Sequence, residues 1–497
     1  MSDAGFALAA LAVPFAGAAL VALAGERRRD LREAATFAAA VMLFFLVVAL
    51  GPQVLAGGRP SVPFFEMVPG VALALQVEPL GWLFAAVASS LWVVSSAYSI
   101  GYMRANGEGR QTRFYACFAG AIGAAIGIAF SANLVTLFFF YELLTLVTYP
   151  LVTHHGTDEA RRAGRVYLAI LLATSILFLL PAIVATWVIA GTVDFRPGGI
   201  LAGRVDATLG GLLLALFLFG IGKAALMPFH RWLPAAMVAP APVSALLHAV
   251  AVVKAGVFCV IKVIVYIFDP AMLHGLGGTA LITAVAAYTL VAASVVALRA
   301  DNLKCRLAYS TVSQLAYVSL ACSVLAPAAI VGAALHLVAH AFGKITLFFA
   351  AGSIYTAAHK TEVSQLDGIG RDMPWTMAAF GIGSLSMIGL PPFAATSASD
   401  DGPGESDRRA GKEEERHARG RGDRLGDHHR RGRLAAVVAA AVAACEEGAP
   451  HDGQEVGGVE ERARGEHGEH RPLPRRHRAR EDEPLGHEAG ERRQADH

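Results

Sequence analysis

Apolar runs of about twenty residues recur throughout residues 1–394, and that repetition limits the fold more than any motif does. A run of that length matches the hydrocarbon thickness of a bilayer when it is helical. Inside a bilayer only helices and closed barrels satisfy every backbone polar group, and runs this long read as helices. We read twelve of them, near 5–24, 34–55, 79–101, 114–130, 132–153, 166–190, 208–229, 241–267, 273–298, 307–325, 328–357 and 374–394. The first is not read as a signal peptide, because no basic residue precedes it and Arg27, Arg28 and Arg29 follow it. The expected fold is an all-α polytopic membrane protein with about 12 transmembrane helices.

The short segments between the runs give an orientation. Odd-numbered loops carry 16 basic residues, from Arg27 to Arg371, and even-numbered loops carry 3, namely Arg59, Arg196 and Arg204. The positive-inside rule then places the odd loops in the cytoplasm and the N-terminus outside. One miscounted span would scramble the alternation, so its regularity also supports twelve.

Charge density changes abruptly after Ala394. Residues 1–394 hold 23 Lys+Arg and 17 Asp+Glu, whereas the much shorter 395–497 holds 19 and 23. That tail contains no Ile, Phe, Tyr, Trp, Met or Asn. Such a composition buries too little apolar area to offset ordering entropy, so we expect a charged, disordered tail. Its one apolar run, "LAAVVAAAVAAC" from Leu434, is about half a span. The loss of pattern in mid-helix, with a residue set that GC-rich codons specify, reads as a frameshifted stretch; a genuine regulatory extension is the rival reading.

Other chemistries lack a footing. Five scattered cysteines form no CxxC, so neither a disulfide framework nor an iron–sulfur site is expected. No Gly-rich nucleotide loop stands between a strand and a helix. No basic surface with interleaved aromatics points to nucleic acid. No cofactor or metal is expected.

Ionisable residues inside the runs are few. A charge near mid-bilayer costs about 2.5–3.5 kcal/mol or more, so each defaults to a functional role with a partner. Glu142 lies near mid-depth in "NLVTLFFFYELLTLVTYPLVTHH" and reads as a carboxylate paired with a buried cation. Lys223 lies in "LFLFGIGKAALMPFHRWLP", between Gly220 and Gly222 on one side and Pro228 on the other. Proline and glycine there predict a broken helix, which transporters place at ion sites. His248 and Lys254 follow on one span; six residues apart, they face different partners. Lys262, nearer the outer end, reads as snorkelling to the interface. His336, His340 and Lys344 recur every four residues in "LHLVAHAFGKITLFFAAG", a stripe about 12 Å long. HxxxH could hold zinc, but no Glu lies between the histidines and no third ligand is in view. A hydrated proton path suits the stripe better, since imidazole titrates near neutrality. Ser310, Ser313, Gln314 and Tyr317 on the preceding span share one helical face and could order water.

The stretches "FFYELLTLVTYPL", "GKAALMPFHRWLPAAMVAPAPVSALLHAVAVVKAGVF", "DNLKCRLAYSTVSQLAYVSL", "HAFGKITLFFAAGSI" and "GLPPFA" resemble the antiporter-like proton-translocating subunits shared by respiratory complex I and the Mrp-type Na+/H+ antiporters. Within that family the chain looks most like the D-type member of an Mrp antiporter. The resemblance implies inverted five-helix repeats, each with a broken helix, around a hydrated axis. It places the family's paired glutamate and lysine on Glu142 and Lys223, and its central relay on Lys254, with His248 nearby, continuing to His336, His340 and Lys344. The implied mechanism is electrostatic switching: moving or neutralising Glu142 weakens the hold of Lys223 on its proton.

The resemblance also implies partners and a setting. These are the other components of a multisubunit assembly, protons, monovalent cations and the lipid bilayer of a bacterial inner membrane, with no nucleic acid. The chain would be one component of a transporter, not an enzyme by itself. Two other readings stay open: a proton-pumping membrane subunit of an NADH-quinone oxidoreductase or membrane hydrogenase, and a truncated, non-transporting form. The last arises because family members have about fourteen spans, with a lysine in a second broken helix that would fall near Ser399 here.

Overall fold

The computed structural model describes residues 3–68, 70–276 and 279–390. The expected boundary at 394, the tail 395–497 and the second broken helix with its position near Ser399 lie outside the described residues.

The body is a set of helices that match the apolar runs: α1 (Asp3–Ala24), α2 (Arg29–Leu55), α3 (Pro79–Ala105), α4 (Gln111–Ala129), α5 (Leu134–Val152), α6 (Asp158–Ala190), α7 (Ala207–Gly220), α8 (Ala241–Phe268), α9 (Ala280–Arg299), α10 (Leu303–Val324), α11 (Pro327–Ala358) and α12 (Pro374–Ile388). Among the described residues ten of these are long and apolar enough to cross a bilayer; α7 and α12 are shorter. The chain is an all-α polytopic membrane protein. One antiparallel hairpin, β1 (Ser61–Val68) with β2 (Val71–Gln76), stands between α2 and α3. A search for twenty-residue runs passes over it.

Local sequence sets the helix ends. Asn133, Thr157, Asp206 and Asn302 each accept a hydrogen bond from the backbone N–H three residues on, at 2.8, 3.1, 2.8 and 3.0 Å. These side chains start α5, α6, α7 and α10 by satisfying donors that the first helical turn leaves open. Gly191 ends α6 at φ 70°, a left-handed conformation that costs glycine nothing.

Two layers of loop contacts establish the alternation of helix directions. On the side of the basic loops, Arg32 donates to Gln111 at 2.6 Å, Arg113 to the His154 carbonyl at 3.0 Å, and Asn302 to Glu362 at 3.0 Å. Lys304 reaches the Ala239 carbonyl at 2.7 Å. On the opposite side the Gln76 N–H donates to Phe130 at 2.6 Å and the Arg196 N–H to Tyr266 at 3.4 Å. Odd loops join odd loops and even loops join even loops, as an alternating bundle requires.

The most enclosed helix is α8, with 94% of its most apolar stretch buried. It packs against α3, α4, α5, α7, α10 and α11. A π-helical turn at Leu246–Val250 and another at Ile264–Phe268 interrupt it; such insertions gather at functional sites.

Candidate proton-translocation site

Helix α7 stops at Gly220, and a single 3-10 turn, Gly222–Ala224, presents Lys223 to the interior. The expected break is therefore real. Close backbone approach holds it in place. A Cβ on Gly256 of α8 would sit 2.4 Å from the Lys223 carbonyl carbon and the Ala224 nitrogen, and one on Gly222 would sit 2.2 Å from Thr174 Oγ1. Neither glycine has room for a side chain, so the turn is fixed against α6 and α8.

Lys223 is fully buried. Its Nζ donates to the Tyr141 carbonyl at 2.9 Å and to Thr145 Oγ1 at 2.6 Å, and lies 3.2 Å from the Tyr141 ring centroid. The Tyr141 hydroxyl in turn accepts from the Lys223 backbone N–H at 3.1 Å. The family resemblance pairs Lys223 with Glu142, but nothing in the sequence gives a sign of this cradle. No direct contact forms between the two charges. Glu142 stands beside Tyr141 of that cradle on α5, and its two carboxylate oxygens are buried with no hydrogen-bond partner among the described residues.

The second group of expected residues gathers where α8 meets α11. Lys254 and His340, both buried, meet through Nζ and Nδ1. His336 and His340 stack, centroids 6.1 Å apart and planes 20° apart. Lys344 is fully buried, and its Nζ donates to Ser310 Oγ at 2.7 Å and the Leu307 carbonyl at 3.2 Å. His248 is buried 4.7 Å from the Phe348 ring, with neither ring nitrogen hydrogen-bonded among the described residues. The helix face foreseen on α10 divides: Ser310 serves Lys344 and Tyr317 lies by His336, whereas Ser313 turns to Ser294 of α9 at 2.8 Å.

Lys262 departs from its sequence expectation. It does not snorkel: it is fully buried and pairs with Glu78 at 2.8 Å, while also donating to the Ser131 carbonyl at 2.8 Å. Glu78 stands just before α3 and is not among the residues expected from the sequence. In the fold, Lys262 and Tyr266 of α8 meet it. The one signal in the sequence is the eight-residue step from Lys254 to Lys262, about 12 Å along one helix.

Toward the basic loops, a cavity of about 200 Å³ is lined by Tyr102, Glu108, His155, Lys304, Tyr355 and Lys360, among others. It sits over the end of α11, two turns beyond Lys344. Burial pushes the Glu108 carboxyl up, but contacts from His154 and His155, at 3.6 and 3.4 Å, more than offset this and hold it down at about 2. A depressed carboxyl stabilises the fold above its ordinary value and loses that contribution as pH falls toward the folded one. Wild-type thermal stability in detergent should therefore lose its margin over Glu108→Gln between pH 4.5 and about 2. A margin unchanged across that window would show that the histidine contacts do not hold the carboxylate.

The family model described as "NADH:quinone oxidoreductase/Mrp antiporter, TM" matches residues 131–400. The chain is 32% identical to a probable K(+)/H(+) antiporter A/B subunit of Rhizobium meliloti, over 76% of this chain and 38% of that protein. It is 29% identical to the NADH-quinone oxidoreductase L subunit of Mycobacterium tuberculosis, over 78% of this chain and 62% of that one. The solved Mrp complex from Dietzia sp. DQ12-45-1b contains a chain that matches with a TM-score of 0.69 and 30% identity, over 80% of this chain and 44% of that one. The chain thus spans less than two thirds of the length of these relatives. A bundle of this architecture with a family match over more than half its residues leaves one assignment: the chain belongs to the NADH:quinone oxidoreductase/Mrp antiporter family of membrane proteins.

Proposed function

We propose that the chain is a proton-translocating component of a multisubunit monovalent-cation/proton antiporter in a bacterial inner membrane, with residues 1–394 as the translocating domain and 395–497 as a separate charged tail. The observation that carries this reading is the run of buried ionisable groups at mid-depth: Lys223, Lys254, His340 and Lys344, each 2% exposed or less. Burying so many cationic groups costs several kcal/mol per charge unless they share few protons among them. A set of bases holding fewer protons than sites is what a proton relay needs.

Lys223 is the first station of the relay. Neutral acceptors and an aromatic face surround its ammonium, so its charge depends on groups farther off. Glu142 is one such group, and it lacks any donor of its own among the described residues. A buried carboxylate in that position calls for water, a cation or a partner protein to solvate it. Ionised, it favours the charged Lys223; solvated away or neutralised, it releases the lysine's proton toward α8. From there Lys254 hands on to His340 across the α8–α11 contact, and His336 and Lys344 extend the route along α11. His248 lines the same interior on α8.

Glu142→Gln keeps the side-chain volume and removes the switch. In vesicles containing the assembled complex, cation-driven proton movement should fall by about tenfold or more. Unchanged transport at equal assembly would refute the role given to Glu142.

Similarity to an oxidoreductase L subunit supports a second reading, the proton-pumping membrane subunit of a redox complex. Purification of the intact complex separates the two: small membrane proteins alone favour antiport, and flavin or iron–sulfur proteins favour redox pumping. The relatives compared carry the letters A/B and L, so we propose an antiporter-like component without narrowing it to the D-type member.

A further inference from the structure

The proton route ends, on the side away from the basic loops, with no assigned exit. One buried charged pair occupies that end, and the relay does not use it. Four separate parts of the chain converge there. Glu78 precedes α3, Ser131 lies between α4 and α5, Phe195 lies between α6 and α7, and Lys262 stands on α8. Lys262 is 0% and Glu78 3% exposed. The Lys262 ammonium sits 4.4 Å from the Phe195 ring centroid and 5.5 Å from that of Phe258. Tyr266, also on α8, interacts with Glu78, and exposed Arg59 lies within electrostatic reach of Tyr266. Asp194 and Arg196 flank Phe195 but pair with each other at 3.4 Å, in solvent.

We infer that Glu78 and Lys262 form the terminal proton-exchange pair of the path, through which protons pass between the buried relay and the face opposite the basic loops. This rests on the translocation reading above. Three observations support it. First, the pair is close but poorly aligned: Glu78 Oε1 lies 2.8 Å from Lys262 Nζ yet accepts no well-formed hydrogen bond among the described residues. A purely structural buried ion pair needs good geometry to offset desolvation, and this one lacks it. Second, the pair's lysine stands on a helix of the relay. Lys254, which meets His340 of α11, is two turns away on the same helix. Third, it stands where the membrane body ends, since Glu78 lies just beyond the β1–β2 hairpin and its neighbour Val77 donates to the Pro60 carbonyl at 2.9 Å.

The step balances without another reactant. A proton leaves Lys262 Nζ and bonds to Glu78 Oε1, which converts the ion pair into a neutral amine and a neutral acid. The acid then loses that proton to water at the hairpin face. The neutral Lys262 accepts the next proton from the interior, and the ion pair re-forms. Both resting forms carry zero net charge, and the one charged intermediate, ionised Glu78 beside neutral Lys262, lasts only until the next proton arrives from the interior.

The test uses vesicles from cells producing the full chain with its partner proteins. The double substitution Glu78→Gln with Lys262→Met removes both charges at similar volume. Expected is a complex assembled at wild-type level in which proton movement falls about tenfold or more. Wild-type rates in that complex would overturn the inference and make the pair a structural tie. Lys223→Met serves as the reference. If it is inactive while the double variant is active, the inference fails and the translocation reading stands; if both are active, the translocation reading itself fails. Should the double variant not assemble, Glu78→Asp decides. A retained fold with slower transport and a displaced pH profile supports exchange at this site, and an unchanged rate and profile contradicts it.

Discussion

In Lys223→Met, cation-driven proton movement should fall by about a hundredfold or more, while the complex still assembles. The two halves of that expectation have separate causes. Lys223 is the only ionisable group on the broken turn between α7 and the Met227–Phe229 segment, so no neighbour on that turn can take its proton. Assembly survives because methionine fills the same channel against Tyr141. Exchanging a buried charge for an apolar group of similar volume is often neutral or stabilising. Tyr141 loses a donor to its carbonyl, and the Thr145 hydroxyl still donates to the Tyr141 carbonyl at 3.2 Å. Lys223→Arg should fare little better than methionine. The guanidinium is planar, stays charged and is too broad for a cradle built around a point charge. Assembled Lys223→Met complex moving protons at more than about half the wild-type rate would remove Lys223 from the path.

Lys254→Met should produce the second large loss, about tenfold or more, by cutting the direct polar contact between α8 and α11. Lys254 joins His340, and without it the α11 stripe loses its link to α8. The histidine tolerates the change sterically, but its Nδ1 then lacks a hydrogen-bonding partner in a buried setting, which costs about 1–3 kcal/mol. A modest drop in thermal stability should therefore accompany the transport loss. His340→Asn should lose transport to a similar degree, since both substitutions break the same step. If Lys254→Met slows transport and His340→Asn does not, the relay leaves α8 by another residue, and His248 becomes the candidate.

The bundle was legible because the bilayer imposes a simple rule on sequence. Runs of about twenty apolar residues and alternating basic loops announce the crossings, and the helices follow the runs except at 208–229, where α7 stops at Gly220. The broken helix at Lys223 was legible for the same kind of reason, since glycine and proline there act on the backbone locally. What stayed hidden depends on contacts between distant segments. Tyr141 and Thr145 cradle Lys223 from 82 and 78 residues away. Gly256 makes room for the turn through a backbone approach that no periodicity records. The hairpin escaped because its strands, though mostly apolar, are only eight and six residues long. The Glu78–Lys262 pair escaped: Lys262 looked able to snorkel, Glu78 drew no attention, and nothing local in the sequence ties two such distant positions. The Glu142 side chain shows the limit from the other direction. Its importance could be read from its depth, but the absence of direct contact with Lys223 could not.

Glu142 and Lys223 are held to act as one unit although they do not touch, and a double-substitution cycle measures this directly. Transport should be recorded for wild type, Glu142→Gln, Lys223→Met and the double variant at equal amounts of assembled complex. Two groups serving one step give strongly non-additive losses, so the double variant should be no slower than Lys223→Met alone. If the two losses multiply, the residues serve independent steps, and the switch proposed between them does not exist.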